Sequence, residues 1–223
     1  MKRSASKTKI MATKGYGGKV VLYGELEKDT MEKAMSIAKS EDLTFIDSFE
    51  DENFIIGNGC IGLDIIEEKP DTDVIFCPIG GGLFIAGVAI AVKAIKPEVK
   101  IIGVEPEGAN SMYLSLKKNK LVEIEKANTI ADGLAVERPG ARPFEIARKY
   151  VDEVVVVSDE DIKKAMVLLL ERAKLLVEPS GAASLAAIIS RQLSFKDKEV
   201  VAILSGGNID LDKLISILKE EIA

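Results

Sequence analysis

Three consecutive glycines, Gly80-Gly81-Gly82, stand where an apolar run from Asp73 to Ile79 gives way to a helical one from Leu83 to Lys93. At such a junction bare main-chain amides meet the positive end of a helix, an arrangement that takes an anion such as phosphate. A second glycine turn, Ser205-Gly206-Gly207-Asn208, follows the apolar run Val200 to Leu204. Both turns fall at the C-terminal ends of predicted parallel strands, where open α/β sheets bind ligands. Together they point to one phosphorylated small molecule, with the Ser205 hydroxyl offered to a ring nitrogen. Glu178, in Glu178-Pro179-Ser180-Gly181-Ala182-Ala183, adds a carboxylate before a helix whose small residues permit close approach; taken singly it reads as a helix-terminal charge. Two other readings stand beside this one. A dinucleotide site would use Glu105, at the end of the next strand, to hold a ribose hydroxyl, but Ile85 stands where the last glycine of Gly-x-Gly-x-x-Gly belongs and Gly87 comes too late. A tight turn with no ligand is the other.

Composition narrows the chemistry. The chain has 223 residues, of which 47% are hydrophobic, enough to bury the core of one domain or of one and part of a second. A net charge of -6 argues against nucleic acid, whose phosphates need a basic face. The apolar run Leu83 to Val92 ends at Lys93, short of a bilayer span, and no apolar core follows the basic N-terminal residues, so a cytoplasmic protein with no membrane partner is expected. There is no histidine. Histidine-based nucleophilic dyads are thereby excluded, and acid-base work falls to carboxylates, lysines or a cofactor. Cys60 and Cys77 lack metal-ligand spacing and read as buried packing.

These residues need a scaffold to bring them together. Strand-like runs at Lys19 to Tyr23, Thr44 to Ile46, Val74 to Ile79, Lys100 to Val104, Val154 to Val157 and Val200 to Leu204 alternate with helical periodicity. That order predicts an α/β chain with a doubly wound parallel sheet. Asp29-Thr30-Met31-Glu32 reads as a capping box opening a helix from Met31 to Ala38, and Ser158-Asp159-Glu160-Asp161 as the start of a helix through Lys174. Phe49 to Gly59 reads as a loop, followed by a helix around Ile61 to Ile66, and a crossover between domains is expected there. Residues 1–48 would then be part of a small domain and residues 49–223 a large ligand-binding domain. Lys9 to Thr13 reads like the middle of a helix with nothing before it, and the lone strand-helix-strand unit from Lys19 to Asp47 buries little, so part of the smaller domain is expected to be absent.

The motifs in sequence resemble a family. Met11-Ala12-Thr13-Lys14-Gly15-Tyr16-Gly17-Gly18, Ile55-Ile56-Gly57-Asn58-Gly59, Pro78-Ile79-Gly80-Gly81-Gly82, Gly103-Val104-Glu105-Pro106-Glu107-Gly108-Ala109, Thr129-Ile130-Ala131-Asp132-Gly133-Leu134, Val177-Glu178-Pro179-Ser180-Gly181-Ala182 and Leu204-Ser205-Gly206-Gly207-Asn208-Ile209-Asp210 occur in the order found in fold type II pyridoxal-phosphate enzymes. The resemblance is to the threonine dehydratase (threonine ammonia-lyase) and serine racemase group, and it covers essentially the whole chain. It implies a tryptophan synthase β-like fold and pyridoxal 5'-phosphate as cofactor. It places the phosphate on Gly80, Gly81, Gly82 and Leu83, the pyridine nitrogen near Ser205 with Gly206 beside it, and Glu178 and Phe49 near the ring edges. Some members bind a divalent cation at positions matching Glu105, the carbonyl of Ala109, and Ser111; the plainer reading of Glu105 is a solvated acid at a strand end.

The implied reaction is loss of the α-proton and β-hydroxyl of L-threonine or L-serine, giving a 2-oxo acid and ammonia, a step that also opens isoleucine biosynthesis. Racemisation of serine is the alternative within the family. The sequence departs from the family pattern where the chemistry is hardest. The Ser-Phe-Lys-x-Arg-Gly-Ala-like segment with the Schiff-base lysine, and the Ser-x-Gly-Asn loop after it, have no match, so no catalytic residue is assigned and the chain reads as truncated or split. Leu83, in what is usually an all-glycine loop, is expected to crowd the phosphate. The partners implied are a small amino acid and either a second copy or an upstream lysine-bearing polypeptide. A non-catalytic remnant that binds a phosphorylated ligand or a partner chain is the reading from a different class.

Overall fold

Where an apolar run is flanked on both sides by helices, both faces of a strand can be buried, and the run need not alternate. The computed structural model, which describes residues 1–190 and 195–222, builds its sheet from four such runs. They are β1 (Val74–Pro78), β2 (Lys100–Pro106), β3 (Glu153–Val157) and β4 (Val200–Ala202). All neighbours are parallel, in the order β3-β2-β1-β4, with Val74 opposite both Lys100 and Val200, and Gly103 opposite Val154. The helices are α1 (Lys7–Gly15), α2 (Glu27–Ser40), α3 (Glu52–Glu68), α4 (Leu83–Ile95), α5 (Ser111–Lys118), α6 (Ala141–Tyr150), α7 (Asp159–Leu168), α8 (Pro179–Ile189) and α9 (Leu211–Ile222). None of the described helices is long and apolar enough to cross a membrane.

The strand order decides where a ligand can sit. From β1 the chain winds outward through β2 and β3, then returns to place β4 on the other side of β1. Connections on either side of β1 and β4 diverge, which leaves a crevice beyond their C-terminal ends. Beneath it, Ile75, Cys77 and Ile79 join Ile85, Val88, Ala89 and Val92 of α4 in one buried cluster. Phe76 and Ile102, on the alternate positions, are also buried, and α8 packs on β1, β2 and β3.

The chain divides into two compact units, Ser48–Gly207 and Met1–Asp47 with Asn208–Ala223, Ala223 and 191–194 lying outside the described residues. In the larger unit, α3 runs straight through the segment expected to be a loop. Its Gly62 marks a close contact rather than a turn. A Cβ at Gly62 would stand 2.8 Å from the carbonyl oxygen of Val88, and one at Gly87 would run into the carbonyl of Ile55 and lie 2.8 Å from the amide nitrogen of Gly59. The α7 start is as expected, with the Ser158 hydroxyl accepting from the Asp161 amide at 3.1 Å, but the α-helix gives way at Leu169 to a π turn that ends in Lys174. Cys77 is buried, and burial pushes its thiol pKa up; Cys60, expected to be buried as well, is exposed on α3.

The smaller unit corrects four expectations. Lys19 to Tyr23 and Thr44 to Ile46, expected to be strands, belong to no sheet among the described residues. A strand is made by its partner, and the main-chain bonds that reach the first of them are two with Met1, from its terminal amine to the Val21 carbonyl and from the Tyr23 amide to the Met1 carbonyl, each 2.9 Å. Helix α2 starts at Glu27, because Asp29 serves as its third residue, its carboxylate accepting from the amides of Leu26 at 3.3 Å and Glu25 at 3.4 Å. Helix α1 does not begin bare. Ser6 caps it, and the Asp210 carboxylate accepts from the amides of Lys7 at 3.1 Å and Thr8 at 2.8 Å and from the Ser6 hydroxyl at 2.8 Å. That long-range cap is why residues after Gly207 cluster with this unit and not with the sheet-bearing one, to which the sequence reading had assigned everything up to residue 223.

Candidate functional site

β1 ends at Pro78, and the Ile79 amide makes one last ladder bond to the Val104 carbonyl at 2.8 Å. The chain must then reverse into α4 within three residues. Gly82 does this at φ +99°, a conformation that a side chain resists, and Leu83 becomes the first helical residue. The Leu83 side chain, expected to crowd an anion, is buried with Ile55 and Ala86, and Ile146 packs against that cluster. Among the described residues no protein acceptor receives the amides of Gly80, Gly81, Gly82 or Leu83. Four consecutive uncommitted donors at the N-terminus of a 13-residue helix form an anion cradle.

The cradle opens into a cleft of about 290 Å³ at the ends of β1 and β4. Its walls include Gly80, Gly81, Gly82, Leu83, Glu178 and Ser205, so six of the expected site residues, from three distant stretches of chain, converge there. Gly206 does not line it. It lies under Glu178, its carbonyl accepting from the Glu178 amide at 2.9 Å, and a Cβ on it would stand 2.7 Å from Glu178 Oε1. Ser205 is exposed. Sequence reading missed Ser48, Asn58, Gly133 and Ser180, which also line the cleft. The Ser180 hydroxyl accepts from the Gly133 amide at 2.9 Å and so ties the start of α8 to the short turn Asp132–Leu134. Among the described residues no lysine lines the cleft. Phe49, expected at the ring edge, is not part of the wall either; its ring lies against Gly81. A larger groove of about 480 Å³ in the smaller unit has mostly apolar walls, such as Val20, Val21, Ile37 and Phe45.

Glu105 and Ala109 stand apart from this cleft. Glu105 is not a solvated acid but is 1% exposed, its Oε1 accepting from the Met112 amide at 2.9 Å and its Oε2 from the Tyr113 amide at 2.7 Å. Both oxygens thus hold the first turn of α5, and a cation would compete with these amides. Burial pushes the Glu105 pKa up to about 8, with the two amides pulling the other way. The Ser111 hydroxyl donates to the Val136 carbonyl at 3.2 Å. Among the described residues no three His, Cys, Asp or Glu side chains cluster as a metal site.

A family model described as "Pyridoxal-phosphate dependent enzyme" matches residues 1–206. The chain belongs to that family. The cradle fits the cofactor the family is named for, since four uncommitted amides at a helix N-terminus suit a phosphate dianion and the Ser205 hydroxyl is free to meet a ring nitrogen. Among relatives of this pyridoxal-phosphate dependent family, an L-threonine ammonia-lyase of Thermotoga maritima is 41% identical over 99% of this chain and 55% of its own length. The catabolic L-threonine dehydratase TdcB of Escherichia coli is 39% identical over 97% of this chain and 67% of its own. Among solved structures, maize serine racemase superposes with a TM-score of 0.90 at 34% identity, over 99% of this chain and 68% of that one. The chain spans about half the length of the Thermotoga relative.

Proposed function

We propose that the cleft holds pyridoxal 5'-phosphate as part of an ammonia-lyase acting on L-threonine or L-serine and yielding a 2-oxo acid and ammonia. The observation that carries the reading is the row of uncommitted amides from Gly80 to Leu83, which lines the same cleft as Ser205. The cofactor, when bound, supplies an electron sink for the bond broken at the amino acid's α-carbon. The chain's own residues hold and tune it. Gly80 to Leu83 bind the phosphate dianion. Ser205 offers the ring nitrogen a neutral hydroxyl, which unlike a carboxylate does not keep that nitrogen protonated, and this favours elimination over transamination. Glu178 borders the ring site. Among the described residues no lysine is on the cleft wall, so the base that moves the α-proton is assigned to none of these residues.

Two measurements test this. Titration of the chain with pyridoxal phosphate should show saturable binding that inorganic phosphate competes away, and a coupled assay with L-threonine should detect no 2-oxo acid from the chain alone. Failure to bind removes the cofactor reading; clear turnover removes the assignment of the base elsewhere. Serine racemisation is the second reading, supported by the likeness to maize serine racemase. Formation of D-serine without 2-oxo acid in the reconstituted assembly would favour it. The same reading makes the protein a cytoplasmic homo-oligomer or the complement of a lysine-bearing segment, which light scattering on the purified protein and cell fractionation would check. For Glu105 we infer the role of a cap on α5 in place of the cation ligand, so magnesium or manganese should leave the melting temperature unshifted.

A further inference from the structure

Three glycines in a row make a poor receptor unless something holds them. Each has a wide choice of backbone conformations, and an anion that must first order the turn loses that free energy from its binding. The structure supplies supports from outside the cleft. Behind Gly81 lies the ring of Phe49, so close that a Cβ on Gly81 would stand 2.8 Å from its Cδ1 and 2.9 Å from its Cε1. In front of α6, the Gly140 amide donates to the Gly81 carbonyl at 3.0 Å, and the carbonyl of Phe49 itself abuts Gly140. Next in sequence, Glu50 fixes the same helix start, its carboxylate accepting from the amides of Ala141 at 2.5 Å and Arg142 at 3.1 Å. Phe49 therefore touches the glycine turn on one side and, through its main chain, the donor that grips the turn on the other.

We infer that Phe49 is a positioning residue for the anion cradle: its ring, pressed on Gly81 from outside the cleft, pre-sets the direction of the glycine amides. This rests on the phosphate-binding reading of that turn and deepens it. A residue that only stabilised the fold would affect every ligand of the cleft alike. A residue that aims the amides affects the phosphate selectively. The contact is also steric and specific, because Gly81 is not in the left-handed region and an alanine there is opposed by the Phe49 ring and not by its own backbone.

The test uses the full chain and two probes, pyridoxal phosphate and pyridoxal, which differ only in the phosphate. Wild type should prefer the phosphorylated form. Phe49→Ala should weaken pyridoxal phosphate by roughly tenfold while leaving pyridoxal within about twofold, and Phe49→Leu, which keeps most of the bulk, should lose about threefold, the range expected for directly contacting residues. If the alanine variant does not fold, the leucine variant carries the same selectivity test. Gly81→Ala should also lose phosphate affinity, and the double variant with Phe49→Ala should recover part of it, since the methyl then enters space the ring has vacated. Equal losses for both probes, an unchanged preference in the Phe49 variants, or additive losses in the double variant would overturn the inference while leaving the cofactor reading intact. No preference in wild type would remove that reading and this inference with it.

Discussion

Glu105 shows how a single side chain can set the pH response of the molecule. In the unfolded chain its carboxyl ionises near 4.5, whereas in the folded protein burial holds the proton until about pH 8. Between these values the unfolded state binds fewer protons than the native one, so stability falls as pH rises through the window and levels off above it. The expected slope is about 1 kcal/mol per pH unit at its steepest, read from urea midpoints between pH 5 and pH 8. Glu105→Gln should flatten that slope while lowering stability at pH 5, because its amide group would face one of the two donors from α5. A wild-type protein equally stable across the window would refute the account. At this scale sequence reading placed the glycine turn and Ser205 correctly at the ends of apolar runs, since glycine after a buried strand is a local signal. Ser48, Asn58 and Ser180 carry no such signal; the packing of α3 on α4 brings Asn58 to the cleft and that of α8 on β1 brings Ser180.

The glycines of α3 and α4 act together as a contact between two helices. Gly62 and Gly87 stand where the backbones approach so closely that a methyl group would collide with main-chain atoms, those of Val88 and of Ile55 and Gly59 respectively. Gly87→Ala is expected to cost about 1–3 kcal/mol, measured by urea denaturation, because the obstacle is backbone and cannot rotate away. It should weaken pyridoxal phosphate as well, because Asn58, whose Cβ lies 2.8 Å from the same point, is on the cleft wall. An unaltered midpoint would show that the helices separate freely. The same glycines explain a misread element. Asn58 between Gly57 and Gly59 looks like loop chemistry, and nothing local says that small residues are wanted for another helix to come near. Strands β1 and β2 were legible because double-sided burial writes itself as a continuous apolar run, while β3 and the only half-buried β4 were legible from their runs of valine. Lys19 to Tyr23 and Thr44 to Ile46 have that chemistry too, but a ladder needs two members, which no single run can reveal.

Taken whole, the chain distributes its burial unevenly between its two units. In the smaller one α1 and α2 contain no buried residue, and its buried apolar side chains among the described residues are Ile209 and Ile217. The larger one holds the sheet and the clusters around it. Local opening should follow this division. In native-state hydrogen exchange, amides of α1 and α2 are expected to exchange orders of magnitude faster than those of β1 and β2; uniform protection would mean that the two units open as one. The division itself was only half legible, because sequence order suggests a cut and cannot show a unit assembled from both sides of it. Asp210 is the residue that does the assembling, by holding the amides of Lys7 and Thr8. On the ribosome this imposes a delay: helix α1 stays without its closing carboxylate until some two hundred further residues have emerged, and during that interval it is open to chaperones and proteases.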